Sequence, residues 1–298
     1  MKGRLYAGVG IVVFLLVLQF FAPVQAQEVF IRNTSVVDGF QPSFVMQVGA
    51  RKYFNSFTSW EFPNVIPPLD PLSRLEWPWD QTFFVARTGM SYTNLALILE
   101  LSGTLSMLSN PKAQDSDWTF PDNPNQKTIF SEGDAKPYCW IFDVGITAPL
   151  SRSSNLKGVA GYRISKFKFT YTDITQRSLD PRYDRGFMPG PAIEFVQYYQ
   201  HWYAGGVFDG AVDLRNIARG VRLPVLLLRL QLDGAYVTGK NYDDHVARSV
   251  PTTSEVRSNG VGWHVNVSTG IQRGSLKFDV EADLRKIYTK GSMHDMEG

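Results

Sequence analysis

In the segment Thr93 to Met107 the odd positions Leu95, Leu97, Leu99 and Leu101 are all leucine, while the even ones include Ala96, Glu100, Ser102 and Thr104. A two-residue period belongs to a β-strand, whose successive side chains leave opposite faces of the sheet. The pattern returns at Trp140, Phe142, Val144 and Ile146 against Asp143, Gly145 and Thr147. It returns at Leu226, Leu228, Leu230 and Leu232 against Arg229, Gln231 and Asp233, and at Val261, Trp263, Val265 and Val267 against His264, Asn266 and Ser268. A last run sets Leu276, Phe278, Val280, Ala282 and Leu284 against Lys277, Asp279, Glu281 and Asp283. These runs predict an all-β chain with one oily and one polar face per strand.

Alternation alone fits two architectures. A soluble sheet turns its leucines to a core and its charges to water; an outer-membrane barrel turns its leucines to lipid and its charges inward. Strand length and export favour the barrel. A tilted membrane strand needs about 9–11 residues, and these runs supply them. The first residues carry Lys2 and Arg4, then the apolar run Gly8 to Phe21, then Pro23-Val24-Gln25-Ala26. That order predicts a secretory signal peptide over 1–26, and so a mature domain over 27–298. Past it, no apolar stretch is long enough to cross a bilayer as a helix. The expectation is an antiparallel transmembrane β-barrel.

Composition narrows the function. Cys139 is the single cysteine, which excludes a disulfide framework, and a net charge of +2 gives no basic excess for nucleic acid. Aromatic residues make up 13% of the chain, in keeping with side chains placed at two membrane interfaces. The stretches Asn110 to Pro137, Asp173 to Pro189 and Gly239 to Asn259 are polar and rich in Asp, Asn, Ser and Pro, and read as long loops on one rim. Ser151 to Asn155 and Gln272 to Gly274 read as short turns on the other.

Two short motifs fall in those long stretches. Asp115-Ser116-Asp117-Trp118 sets two carboxylates on one side of an extended segment, where like charges raise at least one pKa. The pair could hold a proton or position a water, although an isolated pair of this kind is more often a solvated or cation-binding acidic loop. Asp243-Asp244-His245 places a carboxylate two residues before an imidazole, which can fix its tautomer and leave the other nitrogen as a general base. Loop histidines beside carboxylates are common and mostly idle. His264 and His201 fall within strands, and His294 in a tail without strand pattern. No nucleophile elbow, phosphate loop, zinc helix or paired-cysteine metal site is present, and no metal is expected.

Together these residues resemble the omptin family of outer-membrane aspartate/histidine proteases. Ser73-Arg74-Leu75-Glu76-Trp77, Asp115-Ser116-Asp117-Trp118 and Asp243-Asp244-His245 are similar to family motifs in the same order. Gly161-Tyr162, Ala192-Ile193 and Lys277 to Lys290 fall where the family has similar strands. The resemblance implies a barrel of about ten strands, an endopeptidase site in the rim groove facing outside a Gram-negative cell, and a water nucleophile. By residue match Asp243 and His245 form the dyad that takes its proton, and Asp115 and Asp117 position it or steady the oxyanion. Glu61 and Asn241 match the substrate pocket, Asn241 standing where the family has an acid. Tyr162 and Lys166 match a lipopolysaccharide site on the outer wall, with Ile164 and Tyr198 in place of two charged members.

The resemblance further implies a polypeptide substrate, a monomer, no cofactor, and lipopolysaccharide as a candidate requirement for activity. Its family carries one more strand after Lys277 to Lys290, whereas Gly291 to Gly298 is short and polar. Either the sequence is truncated or an early segment supplies that strand. Two rival readings stand beside the protease: a non-catalytic barrel for adhesion or envelope structure, and a small porin, the latter disfavoured by an interior face with bulky residues and both charge signs.

Overall fold

The computed structural model describes residues 26–34, 43–54, 56–62, 72–92, 95–105, 111–119, 125–150, 155–213, 225–245, 252–273 and 276–296. The expected signal segment lies outside these residues apart from Ala26. Among them there is no helix. Thirteen strands form one antiparallel sheet: β1 (Ala26–Thr34), β2 (Ser43–Tyr53), β3 (Phe57–Phe62), β4 (Ser73–Pro78), β5 (Thr82–Tyr92), β6 (Leu95–Thr104), β7 (Lys112–Asp117), β8 (Ile129–Pro149), β9 (Leu156–Ser178), β10 (Gly186–Asp213), β11 (Val225–His245), β12 (Thr252–Arg273) and β13 (Leu276–Met296).

Ten of them make a ring. In the order β8, β6, β5, β2, β1, β13, β12, β11, β10, β9 each pairs with the next, and β9 pairs back to β8. The strand sought after β13 is supplied by the early segment: β1 pairs with β13 from Gln27↔Ala282 to Asn33↔Leu276, and with β2 from Ala26↔Tyr53 to Thr34↔Val45. The remaining three strands form a flap at the rim. β7 pairs with Ile129–Asp134 of β8, beyond the point where β6 leaves it, then β4 pairs with β7 and β3 with β4.

Outside the barrel the aliphatic parity is bare, with Val48 at 50% exposure, Leu101 at 55% and Leu232 at 52%. Inside, the same strands carry charge. Arg51 pairs with Glu100 at 2.9 Å, and Arg87 bridges Glu100 at 2.7 Å and Glu281 at 3.1 Å. His264 sits between Asp233 and Asp283, 2.7 Å from each. Arg163 pairs with Asp143, which also accepts a 2.7 Å hydrogen bond from Tyr203. The Tyr203 ring lies against Gly145 and Gly161, where a Cβ would come within 2.7 and 2.3 Å of it. An apolar exterior around a charged interior is the inverse of a soluble barrel and suits a hydrocarbon surrounding. Rings mark the boundary: Tyr162, Trp202 and Tyr236 lie side by side on the outer wall, with centroids 5.5 and 6.0 Å apart.

The strands run far past the membrane. β8 to β13 are 21 to 28 residues long, roughly twice what a bilayer needs. Here the structure corrects the long polar loops expected at 110–137, 173–189 and 239–259. Each contains strand: β7 and the start of β8, the ends of β9 and β10, and the ends of β11 and β12. His294, expected in a tail, is likewise on the backbone of β13. Above the bilayer the outer face meets water and becomes polar, so the oily-versus-polar contrast fades although the strands continue.

The inner face there is aromatic. Trp77 stacks between Phe169 and Phe195, with centroids 5.4 and 5.1 Å away, and Tyr53, Phe83, Phe167, Tyr171 and Ile174 join the same buried cluster. A register slip near Asp173, whose φ is 54°, lets both Tyr171 and Ile174 turn inward. This layer separates the rim from the charged lumen, where a cavity of about 440 Å³ is lined by Arg51, Arg87, Arg163, Glu100 and Asp283 among others.

Candidate active site

The flap closes over the mouth by side-chain contact with the opposite wall. Trp60 of β3 packs edge-on against Phe195 of β10, centroids 4.7 Å apart, and the Trp60 Nε1 donates to the Asn241 side-chain oxygen at 3.2 Å. Gln197 of β10 donates to Thr58 of β3 at 3.3 Å. These contacts set β7, two strands along, across the mouth from β11.

On β7, Asp115 and Asp117 share the parity of the buried Ala113 and so face the interior, while Ser116 faces the other way. On β4, Ser73 pairs with Asp117 and Leu75 with Asp115 on that same face. The Ser73 hydroxyl hydrogen-bonds to both carboxyls. On β11, Asp243 is only 5% exposed, and its Oδ2 lies 3.3 Å from His245 Nε2.

The second motif acts on the first. Burial, followed by the nearby Asp117 and Asp243 carboxylates, pushes the Asp115 carboxyl up to about 7, against the opposing pull of His245 and of the Ser73 hydrogen bond. Burial also raises Asp117, again opposed by Ser73. Asp115 Oδ1 and Asp243 Oδ1 are both buried without a protein hydrogen-bond partner. Four groups that the sequence holds in two distant motifs thus form one electrostatic unit, short of positive charge.

Among solved structures, the chain is similar to the outer membrane protease OmpT from Escherichia coli. The two share 13% identity, the match covers 92% of this chain and 98% of that one, and the TM-score is 0.46. No family model and no curated protein matches the sequence.

Other predicted residues lie elsewhere. Asn241 is fully buried below Asp243 and forms an uncharged floor with Trp60, Thr58 and Gln197. Glu61 is not brought to this group: its parity on β3 is opposite to that of Trp60, and it pairs with Arg74 at 2.6 Å on the outer side of the flap. Tyr162 and Lys166 are on the outer wall of β9, Tyr162 beside Trp202 and Lys166 Nζ 5.0 Å above the Tyr198 ring. His201 and His264 are buried in the barrel interior, away from the rim.

Residues not assigned a site role from the sequence also border the site, among them Ser73, the first residue of one of the matched motifs. Ser73 and Trp60 reach it through strand pairings that no local spacing announces. Tyr171, one layer below, has a buried hydroxyl without a hydrogen-bond partner; burial, with the Asp115 and Glu132 carboxylates, raises its pKa. Among the described residues no cluster of three or more His, Cys, Asp or Glu side chains is arranged to hold a metal ion.

Proposed function

We propose that this barrel is an outer-membrane endopeptidase of omptin type, hydrolysing polypeptides with a water held between Asp243–His245 and Asp115–Asp117. The observation that supports the reading is that Asp243 and His245 are among the charges that shift the Asp115 carboxyl, which puts the two motifs within electrostatic reach of each other at the rim. The rim would face outward from a Gram-negative cell. The sequence resemblance set out above supports the same assignment.

In this mechanism His245, oriented by Asp243, takes a proton from the water as it attacks the scissile carbonyl. Asp115 supplies the complementary function. A carboxyl whose pKa lies near 7 keeps a substantial protonated fraction at neutral pH and can donate a hydrogen bond to the developing oxyanion. Asp117 shares that load. Water attack requires no Ser or Cys nucleophile, and the polypeptide is the only co-reactant. We assign Tyr162 and Lys166 to lipopolysaccharide contact on the outer wall, and treat the chain as a monomer without cofactor. The uncharged Asn241 floor, with Glu61 neutralised by Arg74, argues for a weakened preference for basic residues at the cut.

The deciding experiment is cleavage of a panel of fluorogenic peptides by outer membranes bearing the wild type or His245→Ala. Cleavage by the wild type that disappears in an equally inserted variant is the expected result. An inserted wild type that cuts no peptide would point instead to a non-catalytic barrel.

A further inference from the structure

Asp115 and Asp117 are two residues apart on one strand, so their Cα atoms are about 7 Å apart along it. Ser73 faces them from the neighbouring strand, as the register partner of Asp117, and its hydroxyl reaches both carboxyls. A hydroxyl has one proton to donate and lone pairs with which to accept. It can donate to one carboxylate while accepting from the other in its protonated form. We infer that Ser73 is a positioning residue of the proposed hydrolysis, joining Asp115 and Asp117 into a pair that holds one proton and turning Asp115 Oδ1 toward the Asp243–His245 dyad.

This role rests on the endopeptidase reading and adds to it a member that lies outside both acidic motifs. The next residue, Arg74, faces the other side of β4 and is engaged with Glu61, so the strand's alternation singles out Ser73. The titratable groups facing the pair are Asp243 and His245 from β11 and Tyr171 from β9; β8 contributes the neutral Ser131 opposite Asp115, and Glu132 pairs with Gln114 on the reverse face. None of these joins the two carboxyls in the way the Ser73 hydroxyl does.

The test uses the full barrel inserted in outer membranes, with kcat and KM measured across acid to alkaline pH for wild type, Ser73→Ala and Ser73→Thr. Loss of the hydroxyl should lower kcat by about 10- to 100-fold with KM changed much less, since the hydrogen bond matters when charge moves. Without its donor the pair should hold its proton more tightly, moving the limb of the pH profile that reports it to higher pH. Threonine, which keeps the hydroxyl, should restore both. Should the alanine variant fail to insert, Ser73→Cys keeps the volume with a weaker donor and is read in the same way. A cleaving wild type matched by Ser73→Ala in kcat and profile overturns this role alone, as does a threonine variant no better than alanine. A wild type that inserts and cleaves nothing overturns the endopeptidase reading and this role together.

Discussion

The barrel buries two polar clusters, one in the lumen and one at the rim, and they are built on opposite plans. In the lumen every named carboxylate meets a cation or an imidazole: Glu100 has Arg51 and Arg87, Glu281 has Arg87, Asp143 has Arg163, and Asp233 and Asp283 share His264. At the rim Asp115, Asp117 and Asp243 converge with one imidazole among them, and two of their oxygens have no protein partner. Buried charge that is paired holds a structure together; buried charge left under-compensated raises the energy of the folded state and is kept where chemistry needs it. The lumen network ties β5 to β13 across the interior, independently of the strands between them, whereas the rim carboxylates are linked only to a neighbouring strand, through Ser73.

That contrast can be broken by exchanging the consequences of damage. His245→Ala should reduce peptide cleavage by about 10²- to 10⁴-fold, the usual contribution of a positioned general base, and leave the melting temperature unchanged. Arg87→Leu should do the reverse. It strips Glu281 of its named cation and Glu100 of one of two, and breaking a buried pair from one side costs about 3–5 kcal/mol. Cleavage per folded molecule should stay as in the wild type. Thermal unfolding in detergent and peptide assays on the same preparations check both. A barrel whose activity collapses with Arg87 while its melting temperature holds would mean that lumen and rim are not separable.

How much of this was legible in the sequence depends on height above the membrane. Leu95 to Leu101 and Leu226 to Leu232 announced their strands because lipid on one side and charge on the other force the strictest alternation. β11 became illegible past Thr238, and β8 between Ile129 and Pro137, where an outer face in water no longer differs sharply from a mixed inner one. Asp243 and His245 therefore read as loop residues although β11 continues through them. The closing strand β1 was hidden differently, because its start coincides with the expected signal boundary. For the candidate site, the two acidic motifs could be seen as spacings. Their meeting could not, since it depends on β3 folding back to set Trp60 against Asn241, and Ser73 needed the pairing of β4 with β7.

A smaller effect sharpens the comparison through pH. The folded pKa of Asp115, about 7, lies above its ordinary value of 3.8. An acid raised in this way binds its proton more tightly folded than unfolded. Its cost to stability is absent in acid, grows as pH rises past the ordinary value and is complete above about 7. Asp115→Asn removes the ionisation, so the variant should gain stability relative to wild type from acid to pH 8, by on the order of 1–4 kcal/mol at the alkaline end. Melting curves taken at both ends give the difference; a gap that does not widen with pH would place Asp115 in contact with a compensating charge. The lumen carboxylates, which already have cations, should show no such gain when made neutral.

The smallest effect belongs to Glu61, and its smallness is informative. Its side chain is half exposed and paired with Arg74 on the outer side of the flap, and such surface pairs contribute about 0–1 kcal/mol. Glu61→Gln should therefore leave the melting temperature as in the wild type and the relative cleavage of Arg-, Lys- and neutral-centred peptides within about 2-fold of it, because a charge on that face does not project into the groove. Asn241→Asp is the matched control: it adds a carboxylate directly beneath Asp243, and should raise preference for basic residues while lowering stability, since the position is fully buried. If Glu61→Gln instead abolished cleavage after basic residues and Asn241→Asp changed nothing, the flap would have to turn its other face inward when substrate binds, and the parity of β3 would no longer decide which side chains meet the polypeptide.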